Sequence, residues 1–354
     1  MTSSPVTSVA ADLGTAEEDR PAGAEPSSPT PQSKPRRKRR STRISLVLLI
    51  LAVPAVAYFL VMNYAPMAGL VVAFKDFNVS DGIFGSPWNG LDNFRYFIST
   101  GTAPRIIRNT LLLNAMFLTA QLVAGVVLAI MLNEIRLRFF KRTMQSAIFF
   151  PYFVSPIVVS VILQVLLAGI GGDSGAVNDL LNIFSLPQVS WYQEPGPWPI
   201  ILTMVKMWQG AGYQSVIFLA AITAISAETY EAASIDGATK FQQAWHITVP
   251  MLRPTLAILV ILGVGRIFYG DFGTIYAIVG DNGLLFPTTD VIDTYVFRAL
   301  RTLGDFGTTA AVGLFQSVIG LIFVVGALWI QKKVAPDTSI VRHRESPPAS
   351  QAAS

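Results

Sequence analysis

Six stretches of this chain are each about as long and as apolar as a membrane-crossing helix must be, and no other feature constrains its fold as strongly. A bilayer's hydrocarbon core, roughly 30 Å thick, takes roughly 20 helical residues. The stretches fall at residues 44–63, 110–132, 144–167, 198–225, 256–279 and 308–330. In lipid, backbone polar groups must be satisfied within the protein. The expected class is therefore all-α, a polytopic membrane protein with six transmembrane helices. Several stretches carry helix breakers (Pro54, Pro151, Pro156, Gly210, Gly212, Gly263, Gly265), which neighbouring helices can accommodate. Composition agrees: 52% of the residues are hydrophobic and 14% charged, where soluble domains carry about 25% charged residues. Cysteine is absent and histidine occurs only at His246 and His343. That excludes a disulfide framework, an iron–sulfur site and a thiol nucleophile, and neither a metal nor a cofactor is expected.

Residues 1–43 are of another kind, rich in Pro, Ser, Thr, Ala and Glu without apolar periodicity, and predict a disordered tail. They close on the basic run Lys34, Arg36, Arg37, Lys38, Arg39, Arg40 and Arg43. Such a run can hold nucleic acid, but an apolar stretch begins at Ile44, so it reads as a cytoplasmic anchor ahead of a membrane helix and no nucleic-acid partner is expected. Ala55-Val56-Ala57 resembles a signal-peptide cleavage site, yet the apolar run continues through Met62, too far for a signal core. Lys and Arg accumulate on the cytoplasmic side of membrane proteins. With the N-terminus inside, 18 Lys and Arg lie in cytoplasmic segments and 6 in outer ones, with Lys206 and Arg266 left in the spans. Both termini are expected on the cytoplasmic side of the cell membrane that holds the chain. The expected organisation is a tail at 1–43, a first span at 44–63, an extracytoplasmic segment at 64–107, a five-span core at 108–331 containing a cytoplasmic loop at 226–255, and a second tail at 332–354.

The segment from Glu231 to Pro250 is the most informative. It reads as two short helices broken by a turn. Ser226 can cap the first, whose early Glu228 and Glu231 suit the positive end of the helix dipole. Asp236-Gly237 supplies the turn, where glycine tolerates a positive φ. Thr239 opens the second helix, with Gln242 three residues on to complete a capping box. Phe241, Ala244, Trp245 and Thr248 share one face at helical spacing, and Pro250 and Pro254 end the run. A capped helix-turn-helix with an aromatic face, between two spans, suits docking into a groove of another protein. His246 reads as a contact or a cap.

Glu231-Ala232-Ala233, Gly237 after three residues, Ile247 after nine and Pro250 three further on resemble the EAA loop of binding-protein-dependent ABC import permeases. Val249 stands where that family prefers Leu. The resemblance implies a type I ABC importer permease with the MetI-like fold, and a loop (Glu231, Ala232, Ala233, Asp236, Gly237, Ala238, Ile247 and Pro250) that inserts into a cleft of a cytoplasmic ATPase. A second set narrows the branch: Tyr64-Ala-Pro-Met67, Ala73-Phe-Lys-Asp-Phe77, Gly85-Ser-Pro-Trp-Asn-Gly-Leu91, Asp290-Val291, Thr294-Tyr-Val-Phe-Arg298 and Ala310-Ala-Val-Gly-Leu-Phe315 are similar to the oligosaccharide and polysaccharide-fragment permeases of the carbohydrate importers. Such permeases work with a second, similar permease subunit, a cytoplasmic ATPase dimer and an external sugar-binding lipoprotein. Independently of any resemblance, no Gly-x-x-x-x-Gly-Lys-Ser/Thr phosphate loop occurs in the chain, so energy is expected from a partner. The glycine run Gly169, Gly171 and Gly172 lacks the lysine.

Polar residues within spans are costly and tend to face the bundle interior. Lys206, Gln209 and Tyr213 share a face of the fourth span, and Asn114 and Gln121 line up in the second. Arg266, Tyr269, Gly273 and Tyr276 share a face of the fifth. Amide, hydroxyl and aromatic groups suit sugars, so the eight other than Gly273 are the candidate substrate path; helix–helix adhesion is the alternative. Lys206, near the start of its span, can snorkel to the interface. Asp271 lies far around the helix from Arg266, which leaves it for the partner permease. The branch that the chain resembles includes importers of uronate-containing oligosaccharides, whose carboxylates would satisfy Lys206 and Arg266, while Asp271 or a partner subunit would do so for a neutral cargo. The expected function is translocation of an oligosaccharide, with no enzymatic activity of the chain's own. An ion-coupled secondary transporter and a polytopic membrane glycosyltransferase are the rival classes. The first gives no reason for the docking loop, and the second needs a cluster of His, Asp and Glu that the sequence lacks.

Overall fold

The computed structural model describes residues 46–169 and 174–334. The expected disordered tail, its basic run, the second tail beyond residue 334, and Gly171 and Gly172 lie outside the described residues. By internal contacts the chain divides after Ala57. Of the first unit, residues 46–57 are described; they are helical, within α1 (Leu46–Phe59), and contain Pro54. Everything below concerns the second unit.

Among the described residues there are helices and no strand, only an isolated antiparallel bridge between Lys75 and Trp88. Helical backbone continues through Leu60–Tyr64 in a wide turn and Ala65–Phe74 in a tight one. The remaining principal helices are α2 (Asp92–Ser99), α3 (Thr102–Glu134), α4 (Arg138–Phe149), α5 (Pro156–Ala168), α6 (Ala176–Ile183), α7 (Trp198–Thr223), α8 (Ala227–Ile235), α9 (Lys240–Gln243), α10 (Arg253–Val264), α11 (Phe272–Val279), α12 (Ile292–Arg298) and α13 (Phe306–Val334). Among the described residues three helical runs are long and apolar enough to cross a membrane unaided, and up to six when each bent pair is taken as one span.

The bends have identifiable causes. The third span turns through 92° between α4 and α5, where Pro151 and Pro156 each lack an N–H and cannot continue the ladder. Ser155 caps the restart by accepting from the Ile157 N–H at 3.4 Å. A 56° bend separates residues 240–251 from α10 at Pro254.

Two expectations need correction. The fifth span is not one helix over 256–279: α10 ends at Val264 and α11 restarts at Phe272. Gly263, Gly265 and Gly270 weaken helix here, and Asp271 caps the new start, accepting from the Thr274 N–H at 3.3 Å and its hydroxyl at 2.8 Å. The shared face of Arg266, Tyr269 and Tyr276, which assumed an unbroken helix, therefore does not exist. The helix of the second span, α3, starts at Thr102 rather than at 110, so the boundary set at 107/108 falls inside it. Its first turns are held by burial of Ala103 and Ile106 beside Phe97, Phe268 and Ile292.

Helices in lipid associate through close packing and hydrogen bonds rather than through hydrophobic exclusion. Glycine makes the approaches possible here. A Cβ on Gly125 would lie 2.6 Å from the Gln214 Cβ, and one on Gly212 would lie 2.1 Å from the Ile148 carbonyl oxygen. Helices α3 and α7, and α4 and α7, thus meet backbone to side chain or backbone to backbone. Between α3 and the 286–298 region the glue is polar. The fully buried Asp290 carboxylate accepts from Arg298 at 2.9 and 3.0 Å and from Arg105 at 3.4 Å, and the Arg298 guanidinium lies 4.1 Å over the Phe286 ring. Asn109 donates to the Pro287 and Asp290 carbonyls at 3.1 and 3.2 Å, and Thr110 accepts from the Ile292 N–H at 2.9 Å.

Candidate functional site

Two places bring together the residues singled out in the sequence: the loop between α7 and α10, and a cavity between α3, α7 and the broken fifth span.

The loop folds as its capping residues dictate. Ser226 caps α8 by accepting from the Glu228 N–H at 3.3 Å. Gly237 stands at φ +80°, a left-handed conformation that side chains resist, and lets the Ala238 N–H reach back to the Ala233 carbonyl at 2.9 Å. The Thr239 and Gln242 capping box forms in both directions, at 2.8 and 3.3 Å. Bracing unseen in the sequence then locks the two short helices together. Gln243, 4% exposed, donates to the Ser234 hydroxyl at 2.8 Å and the Ala238 carbonyl at 3.2 Å, and Tyr230 meets Thr248 at 2.9 Å.

The aromatic face differs from expectation. Residues 244–248 form a wider, π-type turn, so Thr248 rotates inward to Tyr230 while Phe241 and Trp245 stay outside, 78% and 62% exposed. Ile235, 87% exposed, joins them. Glu231 and Asp236 are also exposed, and neither carboxylate has an ion pair among the described residues. A hollow of roughly 360 Å³ in the loop is lined by Ala233, Asp236, Gly237, Ala238, Gln242, Gln243, His246 and Ile247. Pro250 sits within a helical turn at Val249–Met251 instead of ending the run. His246 uses its ring nitrogen on the Gln242 carbonyl at 3.1 Å.

The cavity also measures roughly 360 Å³, and five of the eight candidate path residues line it: Asn114, Gln121, Lys206, Arg266 and Tyr269. The other three do not. Gln209 is buried and donates to the Val154 carbonyl at 3.1 Å, in the extended backbone between α4 and α5. Tyr213 stacks on Tyr152 with ring centroids 5.1 Å apart. Tyr276 stacks on Phe272, donates to Asp281 and accepts from Arg301, each at 3.2 Å.

Asp271 corrects a further expectation. It pairs with Lys206 of its own chain rather than remaining for a partner, and Lys206 does not snorkel outward. The pair ties α7 to the start of α11. Side chains also satisfy the backbone of the break at 265–270: the Gly270 N–H donates to Asp293, and Gln316 donates to the Phe268 carbonyl at 2.6 Å. Asp293 lies on α12, and its carboxylate also accepts from the Gln316 amide at 3.3 Å. Non-helical backbone at membrane depth is tolerated where it is buried in protein or lines a water-filled cavity, and residues 265–270 fit that description. Asp293 and Gln316 lie 23 and 48 residues from their backbone partners and gave no local signal. The glycines around Arg266 were the only hint of the break.

Comparison with known proteins converges. The family of binding-protein-dependent transport system inner membrane components matches residues 121–336. Protein LplB of Bacillus subtilis (strain 168) is 37% identical over 287 residues, covering 81% of this chain and 88% of its own. The polygalacturonan/rhamnogalacturonan transport system permease protein YteP of the same organism is 34% identical over 286 residues, covering 81% and 88%. Among solved structures, the bacterial alginate ABC transporter in complex with an alginate pentasaccharide-bound periplasmic protein contains a chain that superposes with a TM-score of 0.72 at 29% identity, covering 82% of this chain and 95% of that one.

Proposed function

The chain belongs to the binding-protein-dependent transport system inner membrane components, and from that membership we propose that it carries an oligosaccharide, handed over by an external binding protein, through the membrane at the expense of ATP hydrolysed by a partner. It is a multi-pass ABC importer permease of the carbohydrate group, a transporter subunit rather than an enzyme. The cavity beside the fifth-span break is the point of passage, and the 226–251 loop faces the cytoplasm with both chain termini. There it docks on the ATPase, while a second permease subunit completes the path.

The observation that carries this reading is the loop. Its two helices are capped and cross-braced, so it is a rigid body, yet it leaves Ile235, Phe241 and Trp245 uncovered. Large apolar side chains on a rigid, polar-rimmed protrusion mark a protein contact. The external partner is supported by the alginate transporter, which was crystallised with its sugar-loaded periplasmic protein.

Coupling is testable in the assembled, reconstituted complex. Gly237→Val places a β-branched residue at a positive φ, where it is strained by about 1–3 kcal/mol. Glu231→Lys reverses the charge on the exposed face of α8. Each variant is expected to insert and assemble, to slow sugar uptake, and to abolish stimulation of ATP hydrolysis by the loaded binding protein. Normal stimulated hydrolysis in both would remove the loop from the coupling path.

A further inference from the structure

Resting on the reading of this chain as an oligosaccharide permease, we propose that Arg266 reads a carboxylate on the passing sugar, so that the cargo is a uronate-containing oligosaccharide, and that Lys206 does not share this task.

Three charged side chains line the cavity, Lys206, Asp271 and Arg266. Lys206 and Asp271 neutralise each other, and Asp271 also accepts twice from Thr274. Arg266 has neither an ion pair nor a side-chain hydrogen bond among the described residues. The nearby acid of α12, Asp293, is occupied by the Gly270 N–H and by Gln316. The cavity therefore keeps one uncompensated positive charge, the Arg266 guanidinium.

Its placement makes that charge available. Arg266 sits on the non-helical segment between α10 and α11, whose backbone is satisfied by Asp293, Gln316 and by turns of its own. The guanidinium is thus not spent on holding the break. Beside it in the cavity stand neutral groups of the kind that hold sugar hydroxyls. The Gln121 amide and the Tyr269 hydroxyl make no hydrogen bond among the described residues, and Asn114 uses one amide hydrogen on the Thr110 carbonyl at 2.8 Å. A planar fork of donors matched to a carboxylate, beside unpaired amides and a hydroxyl, suits a sugar acid better than a neutral sugar.

The test uses the complete transporter in vesicles with ATP-driven uptake of trigalacturonate and of its methyl ester, which has nearly the same shape without the charge. The same binding protein serves every variant, so its own preference cancels when acid-to-ester ratios are compared. The expected result is a wild-type preference for the acid that falls by about tenfold or more in Arg266→Gln, the scale of a lost hydrogen bond to a charged group. Arg266→Lys should recover part of the ratio, and the double variant Lys206→Gln with Asp271→Asn, which removes the neutral pair without leaving a charge behind, should leave the ratio unchanged. Raising the salt concentration should weaken acid uptake in the wild type more than in Arg266→Gln. Equal losses of acid and ester in Arg266→Gln would make the residue a structural one and overturn the proposal. Uptake confined to neutral sugars would overturn it too, with the permease reading intact. Absence of ATP-driven uptake of any oligosaccharide would instead remove the reading beneath it.

Discussion

At the scale of single residues, two of the three charges that line the cavity meet each other. Lys206 and Asp271 are each less than a third exposed and are joined across α7 and α11. Removing one member leaves the other unpaired at membrane depth, which costs about 3–5 kcal/mol for a fully buried pair. Lys206→Gln and Asp271→Asn should each lower stability to unfolding in detergent, by about 3 kcal/mol, and the double variant should recover more than half of the summed loss. Strictly additive losses would show that the pair is not coupled. Little of this was legible in the sequence, because Lys206 and Asp271 lie 65 positions apart. The same holds for Asp290: it stands with Arg298 in a stretch that resembles carbohydrate permeases, yet Arg105, its other partner, is 185 residues away. The loop was legible residue by residue because its signals are local. Ser226, Gly237, Thr239 and Gln242 act on backbone within five residues of themselves.

At the scale of elements, apolar runs locate the spans because their cause, burial in hydrocarbon, acts on every residue of a run. They do not locate breaks. Gln209 bonding to Val154, and Asp293 and Gln316 bonding to the 268–270 backbone, compensate the breaks from distant helices, so a hydropathy pattern passes over them. The glycines matter at this scale by letting elements approach. Gly212 lies against the Ile148 carbonyl, a backbone atom that cannot swing aside, whereas a Cβ on Gly326 of α13 would meet nothing within 4 Å. Overpacking of a tight contact costs about 1–3 kcal/mol. Gly212→Ala should therefore destabilise the chain by about 2 kcal/mol, and Gly326→Ala should be neutral or slightly stabilising, as Ala favours helix over Gly by about 1 kcal/mol. Unfolding of both variants in the same detergent checks the difference. Equal stabilities would mean that α4 and α7 can separate without loss.

At the scale of the whole molecule, the sequence carried the membrane class, the loop and its family likeness, while the cavity needed the fold to bring Asn114, Gln121, Lys206, Arg266 and Tyr269 together. An uncovered apolar loop and a polar cavity suit the proposed division of labour, in which energy enters at one place and cargo passes at another. The central claim is that this energy is ATP, delivered on the side of the loop. Uptake of labelled oligosaccharide into vesicles holding the complete complex and its binding protein tests that claim most directly. Uptake is predicted when ATP is supplied on the face that carries Phe241 and Trp245, to persist when ion gradients are collapsed, and to cease when ATP is withheld. Uptake driven by a proton or sodium gradient without ATP would contradict the account and make the chain a secondary transporter.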